Sequence, residues 1–450
     1  MFNQAPKLNT EEYEKNFAEL HPPFSPNSAV AEANRCLYCY DSPCMKACPT
    51  HIDISTFIRK IATSNLLGSA KTILNSNWVS LTCSKACPVE VLCEGACVYN
   101  EKGEKPIEIG RLQRFVMDNF FANGMPQLFI KQEKKNKNVG IIGSGPAGLS
   151  CAAELSILGY DAIIYESNKI PGGLDTWGIA PYKMRREDSL KEIDLVKSFG
   201  VEIKTGMTVG NNIKVDELLK MHDALFIGVG LGESPELSIE GEDLPGVVGA
   251  LEFIENVKTE NWKDVNVGKR VAVIGAGNTS IDAATEAKRL GAESVFIIYR
   301  RSSVEMSAYG FEFDLAKKDG IEFHFLTSPK RIVGEKYVTG IECLKMKLGE
   351  LDKNSRRKSS PISGSEFIIP VDMVIKAIGQ ETKSSFLNSI PGLELNSDGC
   401  IIVDSNSYQS TNPKIFAGGD CINGGKEVVN AAYDGKHAAH GIDAFLNHKS

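Results

Sequence analysis

The feature that most constrains this chain is a concentration of cysteines near its N-terminus. Eight of the twelve cysteines lie between residues 36 and 97, in two groups of four. The first group has the spacing C-x2-C-x4-C-x3-C-P, and the second has C-x3-C-P-x4-C-x3-C. Thiols spaced this closely either bind metal or form disulfides. The two groups are Cys36, Cys39, Cys44 and Cys48, then Cys83, Cys87, Cys93 and Cys97.

Composition narrows the choice between metal and disulfide. No run approaches the ~20 apolar residues of a membrane span, and the N-terminal residues lack the apolar stretch of a secretory signal. We therefore expect a cytoplasmic protein with no membrane association. Structural disulfides are rare in that reducing compartment, which favours metal. A zinc ribbon is an alternative, although neither group repeats its C-x2-C…C-x2-C pattern. The net charge of −7 gives no reason to expect a nucleic-acid partner.

The 450 residues are too many for one compact core, so about three domains are expected. Residues 1–130 read as a helical domain. Asp53 precedes apolar residues at helical spacing, and Leu112, Phe115, Val116 and Phe120 form a second helical stripe. A lysine-rich link follows at residues 126–138.

Two strand–turn–helix–strand units follow the link. In the first, Val139–Ile142 runs into the turn GSGPAG, a helix, and the strand Asp161–Glu166. In the second, Arg270–Ile274 runs into GAGNTS, a helix, and the strand Val295–Arg300. The fold class is therefore α/β, with two Rossmann-like nucleotide-binding domains after the helical domain. Residues 348–366 are polar and rich in Ser and Lys, which predicts an exposed loop.

The first glycine turn has the context that phosphate binding requires. Its glycines allow a tight turn, a close approach of pyrophosphate to the backbone, and helix–strand packing, while Glu166 can accept hydrogen bonds from a ribose. The predicted cofactor-binding residues of this unit are Gly143, Gly145, Pro146, Ala147, Gly148 and Glu166.

Two further motifs resemble the two-dinucleotide flavoprotein superfamily. They are Gly172-Gly173-Leu174 and, near the C-terminus, IFAGGD with Gly419 and Asp420. The resemblance implies FAD, with Asp420 bonded to the ribityl chain and a helix starting near Glu427 and Val428 directed at the flavin ring. It also implies a split FAD domain, residues 135–262 and 382–450, with the nicotinamide domain, residues 263–381, inserted between its halves.

The second glycine turn differs in ways that bear on the nucleotide. It ends in Ser280, and Arg300 and Arg301 stand where a carboxylate would favour NAD. A cation there accommodates a 2′-phosphate and favours NADP, although an arginine can also stack on adenine. Both NADP(H) and NAD(H) therefore stay open. The turn contributes Gly275, Ala276, Gly277, Asn278 and Thr279.

Three cysteines at C-x2-C-x4-C can surround one iron–sulfur cube. In two-cluster ferredoxins the cysteine before proline serves the other cluster, and eight cysteines suffice for two cubes. At this point the chain resembles the N-terminal part of dihydropyrimidine dehydrogenase, especially the flavoprotein subunit of its bacterial two-subunit form. The resemblance covers nearly the whole chain. It is carried by CLYCYDSPCMKACPTHIDISTFI, LTCSKACPVEVLCEGACVYN, IEIGRLQ and GGDCINGGKEVVNAAYDGK.

That resemblance implies two [4Fe–4S] clusters and their ligands. The implied ligands are Cys36, Cys39, Cys44 and Cys97 for one cluster and Cys48, Cys87, Cys93 and Gln113 for the other, with Cys83 unligated. It also implies FAD contacts at Leu174, Lys183 and Val209, and nicotinamide-nucleotide contacts at Arg300, Arg301, Ala377, Ile378 and Gly379. The family's single-chain enzyme has a further arginine where this chain has Ser307, which weakens the argument for NADP.

The implied function is the electron-input subunit of dihydropyrimidine dehydrogenase. It would take hydride from NAD(P)H onto FAD and pass single electrons through the clusters. An FMN-containing partner subunit would carry the pyrimidine site, so we expect a hetero-oligomer and no catalytic acid or base here. One alternative is the small subunit of glutamate synthase or another NAD(P)H:acceptor iron–sulfur flavoprotein. Gln113 and the CPTHIDI sequence argue against glutamate synthase. A second alternative is an electron-transfer adaptor or redox sensor.

Overall fold

The computed structural model describes residues 3–352 and 356–447. The chain divides into two compact units. Unit 1 comprises Met1–Glu19, Ala180–Tyr182 and Gly232–Glu381, and unit 2 comprises Leu20–Ile179, Lys183–Leu231 and Thr382–Ser450.

The helices of the described residues are α1 (Thr10–Asn16), α2 (Pro26–Arg35), α3 (Pro43–Ala47), α4 (Ile54–Ala62), α5 (Leu66–Leu74), α6 (Ser80–Ala86), α7 (Ile109–Ala122), α8 (Pro146–Ile157), α9 (Leu174–Trp177), α10 (Arg186–Ser198), α11 (Val215–Met221), α12 (Ala250–Thr259), α13 (Asn278–Arg289), α14 (Gly310–Lys318), α15 (Ser384–Asn388), α16 (Asp420–Asn423) and α17 (Val428–Asn447). Short 3-10 turns occur at Val89–Val91, Val98–Lys102 and Ser303–Glu305.

The strands are β1 (Asn138–Ile142), β2 (Asp161–Tyr165), β3 (Glu202–Lys204), β4 (Ala224–Ile227), β5 (Val247–Gly249), β6 (Arg270–Ile274), β7 (Ser294–Ile298), β8 (Glu322–His324), β9 (Thr327–Gly334), β10 (Val338–Leu351), β11 (Arg357–Pro361), β12 (Phe367–Ile369), β13 (Met373–Lys376) and β14 (Ile415–Ala417).

Unit 2 contains a parallel five-stranded sheet in the order β14-β4-β1-β2-β3. In this sheet β1 pairs with β2 from Asn138 opposite Asp161, and with β4 from Val139 opposite Ala224. The first predicted β-α-β unit is therefore confirmed. Ligands of such sheets bind beyond the carboxyl ends of the strands, which here means the turn after β1.

The cysteine-bearing helices of unit 2 share one hydrophobic core with this sheet. Phe57 of α4 and Leu112 of α7 belong to the same buried cluster as Ile141 of β1 and Ile442 of α17. Both predicted helices are present. Asp53 caps α4 by accepting the Thr56 N–H at 3.1 Å, and α7 buries the apolar residues of the predicted stripe except Phe115, which is half-buried.

Trp78 is the largest side chain joining the helical region to the sheet region within unit 2. Its indole N–H donates to Glu154 of α8 at 2.8 Å, and its ring packs edge-on against Phe129 and Phe199, with centroids 4.8 and 5.1 Å away. Lys436 of α17 pairs with the same Glu154 carboxylate at 3.4 Å. A buried polar bond inside an aromatic cluster fixes orientation as well as adding contact area.

Unit 1 contains a second parallel sheet in the order β5-β13-β6-β7-β8. The pairing of β6 with β7 from Arg270 opposite Ser294 confirms the second β-α-β unit. An antiparallel sheet of β11, β10, β12 and β9 accompanies it. The prediction of a loop at residues 348–366 was wrong in part, because β10 extends to Leu351 and β11 covers Arg357–Pro361. The middle residues 353–355 of that prediction lie outside the described residues.

Residues 3–19 belong to unit 1, which differs from the expected helical domain of residues 1–130. The segment is held by backbone pairing on the nucleotide-domain side, where Ala5 N donates to Val267 O at 2.9 Å and Lys269 N donates to Asn3 O at 3.1 Å. Phe17 stacks on Trp262 with ring centroids 4.6 Å apart. Backbone pairing of this kind carries no periodicity that the sequence could reveal.

Candidate functional site

Three cysteines of the first group and one of the second line one cavity of unit 2. Cys36, Cys39, Cys44 and Cys97 all face it, together with apolar side chains of α4 and of the residues just before α7. Cys36 ends α2, Cys44 lies in α3, and Cys97 precedes the turn Val98–Lys102. Three different segments therefore bring together the four residues implied for the first cluster.

The loop between Cys36 and Cys44 follows a strained path around this cavity. Tyr38 and Ser42 have φ angles of 50° and 38°, in the left-handed region that non-glycine residues seldom occupy. The Ser42 hydroxyl donates to Cys39 O at 2.6 Å and contacts the Ser55 hydroxyl at 2.9 Å. Backbone strain that hydrogen bonds hold in place is common at binding sites.

The second group is gathered in the same unit. Cys48 ends α3, Cys83 lies in α6, Cys87 ends α6, and Cys93 follows the 3-10 turn after it. A hydrogen bond with Cys83 and burial raise the pKa of the Cys87 thiol, and the charges of Cys93 and Cys48 add to this effect. Burial likewise raises the pKa of Cys93, with further contributions from Glu94 and Cys48.

Gln113 lies on α7 with only 7% of its surface exposed. Its side-chain amide donates to Ser80 O, at the first residue of α6, over 2.6 Å. The amide of Asn77 donates to the Cys83 sulfur at 3.1 Å. Gln113 of α7 thus contacts the first residue of α6, the helix that contains Cys83 and is capped by Cys87.

The surroundings of these cysteines suit thiolates bound to an iron–sulfur cluster better than free thiols. Burial and the charge of Cys36 raise the pKa of Cys44 to about 12, and burial also raises the pKa of Cys36. Crowded thiolates need positive charge, which iron supplies. Among the described residues, no three His, Cys, Asp or Glu side chains form a group suited to a single metal ion. Cysteines around a cluster each bind a different iron and need not converge on one point.

The glycine turn after β1 forms an open cradle. Gly143 has φ of +97°, and Gly145 precedes α8. A Cβ on Gly145 would meet only Gly173, at 4.0 Å, whereas a Cβ on Gly148 would clash with the carbonyl of Gly143. Gly145 therefore leaves room for a ligand, and Gly148 allows α8 to pack on the strand. The neighbouring Pro146 and Ala147 open α8.

The motif Gly172-Gly173-Leu174 contacts this cradle. A Cβ on Gly173 would lie 2.7 Å from Gly145 Cα, and Gly172 N donates to the Ser144 hydroxyl at 2.9 Å. Leu174 begins α9 and is 40% exposed. Two motifs that are distant in sequence thus build one binding surface, which fits a dinucleotide.

Glu166 directly follows β2, one residue beyond the strand that the sequence predicted to end with it, and both of its side-chain oxygens have protein partners. One accepts from Ser144 N at 2.9 Å and from the Ser144 hydroxyl at 2.5 Å, and the other accepts from Asn168 N at 2.8 Å. The sequence did not reveal Ser144 as a partner that fixes this carboxylate.

The C-terminal flavin motif also meets the cradle. Gly419 has φ of +78°, and its N–H donates to Asp434 of α17 at 3.0 Å. Tyr408 donates to the same buried carboxylate at 3.0 Å. Asp420 accepts Lys426 N at 3.0 Å, and α17 begins at Val428, after the half-buried Glu427. Asp434 is a supporting residue that sequence reasoning missed, because a single Asp in an apolar helix carries no motif.

Lys183 and Val209 lie elsewhere in unit 2. Lys183 is half-buried. Val209 is buried in the core beside Ile142 and Tyr165, with its backbone bridged to Ile213.

Unit 1 has a second cradle after β6. Gly275 has φ of +129°, and a Cβ there would clash with the carbonyl of Ala377. Ser280 donates to the same carbonyl at 3.1 Å. Asn278 begins α13 and accepts Tyr309 N at 3.1 Å. The remaining predicted residues are the buried Ala276, Gly277 before α13, the exposed Thr279 and Ile378, and Gly379 with φ of +104°.

The two arginines after β7 have different surroundings. Arg300 is exposed. Arg301 is buried, donates to Arg357 O at 2.8 Å, and pairs with Asp352 at 2.9 Å. A Cβ on Gly277 would lie 3.4 Å from the Ser307 hydroxyl, so Ser307 is a neighbour of the glycine turn. Of the two cations, Arg300 is the one exposed to a ligand.

Within the described residues, no helix combines the length and the apolar character needed to cross a membrane.

The glycine cradles, the parallel sheets and the gathered cysteines define a two-dinucleotide-domain flavoprotein with an iron–sulfur region. Residues 137–435 match the family model described as pyridine nucleotide-disulphide oxidoreductase. Residues 13–125 match the model described as dihydropyrimidine dehydrogenase domain II, 4Fe-4S cluster. The chain belongs to the pyridine nucleotide-disulphide oxidoreductase family and is an iron–sulfur flavoprotein oxidoreductase.

Relatives extend over most of the chain. It is 34% identical over 444 residues to a glutamate synthase (NADPH) small chain of Halomonas elongata, covering 96% of this chain and 94% of that protein. It is 35% identical to the NADP(+)-dependent formate dehydrogenase subunit beta of Moorella thermoacetica, covering 90% of this chain and 60% of that protein. The structure of Mycobacterium tuberculosis FprA in complex with NADPH aligns with a TM-score of 0.57 at 20% identity, over 69% of this chain and 85% of FprA. That likeness supports the fold. [4Fe–4S] clusters, FAD and a nicotinamide nucleotide are the cofactors of this architecture.

We predict that Gly145→Ala abolishes flavin binding without unfolding the protein. The methyl group would occupy the space left for pyrophosphate but would meet no protein atom closer than 4.0 Å. Flavin absorbance of the purified variant should fall at least tenfold. Urea unfolding of the flavin-free protein should stay within about 0.5 kcal/mol of the flavin-free parent.

Gly148→Ala is the matched control for this prediction. Its methyl group clashes with backbone, so it should lower the free energy of unfolding by about 1–3 kcal/mol as well as losing flavin. Full flavin occupancy in Gly145→Ala would contradict the assignment of the cradle.

Proposed function

We propose that the chain is the electron-input subunit of an NADPH-dependent oxidoreductase. FAD, when bound, accepts hydride and gives up electrons singly, and iron–sulfur clusters carry single electrons. The protein's own residues bind and orient these groups. The observation that carries the proposal is that both cysteine groups share one core with the flavin cradle in unit 2.

The partner we favour is the large, amide-using subunit of a glutamate synthase. The support is the match with a glutamate synthase small chain, which spans nearly the full length of both proteins. The formate dehydrogenase beta subunit, by contrast, extends well beyond the matched region. This reverses the order of the two alternatives reached from the sequence.

A second candidate is the electron-input subunit of a dihydropyrimidine dehydrogenase, with an FMN-containing partner that holds the pyrimidine. The match of residues 13–125 to a dihydropyrimidine dehydrogenase domain supports it. So does the position of Gln113 against the start of α6.

For the clusters, we propose that Cys36, Cys39, Cys44 and Cys97 hold one cube and that Cys48, Cys87, Cys93 and Gln113 hold the other. The cavity shared by Cys36, Cys39, Cys44 and Cys97 supports the first assignment. The charge of Cys48 raises the thiol pKa values of both Cys87 and Cys93, which supports the second assignment.

Gln113→Ala should change the electron paramagnetic resonance (EPR) spectrum of one reduced cluster and leave FAD bound, because the amide oxygen would be lost as a ligand. Cys83→Ser is the control, because Cys83 lies on α6, the helix that Gln113 contacts, but is not a proposed ligand. This variant should keep both cluster signals. Iron content, flavin content and EPR spectra of anaerobically reduced protein would be compared. Intact spectra in Gln113→Ala together with a lost cluster in Cys83→Ser would show that Cys83 is the cluster ligand and Gln113 is not.

We propose NADPH as the donor, with Arg300 as the residue that contacts the 2′-phosphate. Arg300→Ala should weaken NADPH binding by about 10- to 100-fold, since a charge-assisted hydrogen bond is worth about 1.5–3 kcal/mol, and should hardly affect NADH. Dissociation constants from tryptophan or flavin fluorescence would measure this. Equal losses for both nucleotides would show that Arg300 does not read the phosphate.

Arg301→Ala is the matched comparison for Arg300. It removes a buried ion pair with Asp352, so the expected effect is lower thermal stability and similar changes for NADPH and NADH. Selective loss of NADPH in this variant would move the phosphate contact from Arg300 to Arg301.

The decisive test of function is substrate-dependent oxidation of NADPH and NADH by the native complex, isolated anaerobically through a tag on this chain. One cuvette receives glutamine with 2-oxoglutarate and the other receives uracil. Oxidation that needs 2-oxoglutarate would confirm the glutamate synthase partner, and oxidation that needs uracil would replace it with the second candidate. Oxidation by an artificial acceptor alone would indicate another acceptor partner.

A further inference from the structure

The side chain of Glu192, from the flavin half of unit 2, caps α6, the helix that contains Cys83 and is followed by Cys87. Glu192 of α10 is 2% exposed and accepts the backbone N–H groups of Leu81 and Thr82 at 2.6 and 3.2 Å. The Thr82 hydroxyl donates to its other oxygen. The N-cap residue of α6, Val79, makes no side-chain capping bond, so Glu192 supplies the missing acceptor from another helix.

Helix α6 links this cap to the second cysteine group. Cys83 lies in it, and Cys87 N donates to Cys83 O at 3.1 Å as the helix ends. Gln113 bonds to Ser80 at the other end of the helix. Helix α6 therefore contacts Gln113 at its first residue and leads directly into Cys87, and both are proposed ligands.

Helix α10 is also tied to the flavin motif. Ser189 of α10 shares a 2.9 Å hydrogen bond with Thr176 of α9, the short helix that begins at Leu174. One turn before Glu192, Asp188 pairs with Lys85 of α6 at 2.6 Å. A continuous set of polar bonds thus joins the motif at the flavin cradle to the helix of the second group.

Charged groups around Glu192 lie on α6, on α9 and on α10 itself; on α8, which also packs against α10, Glu154 is paired with Lys436 and His440. Lys85 on α6 is paired with Asp188, which also binds Lys191 at 2.9 Å on the same helix as Glu192. Asp175 on α9 is a further carboxylate. Burial raises the pKa of Glu192 to about 8, the Thr82 hydrogen bonds oppose this shift, and Asp175 adds to it. The carboxyl group therefore changes charge near neutral pH.

We propose that Glu192 is a positioning residue whose charge couples reduction of the second cluster to proton uptake. When the cluster gains one electron from the flavin, the Glu192 carboxylate takes one proton from solvent, so the buried charge of the region is unchanged. Low local permittivity makes such compensation effective over the short span of α6. This inference rests on the proposed function, since it needs a cluster in the second group.

The test is an EPR-monitored redox titration of the full-length protein at a series of pH values. In the parent, the midpoint potential of the second cluster should fall as pH rises through about 8 and level off on either side. Glu192→Gln keeps an acceptor oxygen for the helix but has no charge. Its potential should stay at the parent's low-pH value at every pH tested.

Asp194→Asn is the matched control, because it removes an exposed carboxylate from the same helix. It should retain the parent's pH dependence. Thr82→Val removes one donor to the charged form of Glu192, so its change in potential should occur at higher pH, and Thr82→Ser should restore the parent profile. Thr82→Val also serves if Glu192→Gln fails to fold.

A pH-independent potential in the parent, or an unchanged pH profile in Glu192→Gln, would overturn the proposal. Failure of the proposed function would look different, because the parent would then contain no iron, no acid-labile sulfide and no cluster signal. Clusters that are present but insensitive to pH would contradict the role of Glu192 alone.

Discussion

The structure of unit 2 depends on the close packing of helix α8. At its N-terminal end, Gly148 lets the helix approach the turn after β1, and a Cβ on Gly435 of α17 would clash with Ala147 O. Near its C-terminal end, Glu154 holds Trp78 and Lys436. One helix therefore positions the flavin cradle, the C-terminal helix and the cysteine-bearing helices together. Interiors packed to this density leave little room for any of these parts to shift alone.

Electrostatics explains why the cysteine region needs its cofactors. Seven of the eight clustered thiols, all except Cys39, lie in or against one core. They repel one another once ionised, and burial adds to the cost of ionisation. Iron supplies the compensating charge and turns an unfavourable cluster of thiolates into a stabilising one. By contrast, the Lys85–Asp188 pair is compensated within the protein itself, where Lys85 lowers the pKa of Asp188 against the effect of burial.

The fold could be predicted from the sequence where local chemistry decides it. Both β-α-β units follow from glycine turns between apolar strands, and α4 follows from Asp53 and its apolar spacing. The β10–β11 hairpin was missed because β11 is largely exposed and has no apolar alternation, so the sequence gives no sign of its backbone pairing with β10. The placement of residues 3–19 in unit 1 was missed because its contacts, such as Phe17 with Trp262, join residues far apart in sequence.

The motifs of the candidate site could be predicted from the sequence, but the residues that hold those motifs in place could not. Glycine spacing identified Gly143, Gly145 and Gly148, whereas Ser144, Asp434 and Glu192 act through contacts with residues far away in sequence. The two arginines after β7 also look equivalent in sequence. Only folding separates them, because Asp352 from the hairpin engages Arg301 and leaves Arg300 exposed.

The core that the cysteine-bearing helices share with the flavin sheet favours electron transfer between their cofactors. Transfer between cofactors requires that their separation stay fixed, and the flavin cradle and the cysteine helices are joined by buried bonds at Trp78, Glu192 and Lys85. Each of these bonds ties a residue of the helical region to a helix of the flavin half. Breaking any one of them would leave a buried polar group unsatisfied, so the region resists separation. Unit 2 thus holds the flavin cradle and the cysteine-bearing segments in one packed body, as single-electron transfer between their cofactors requires.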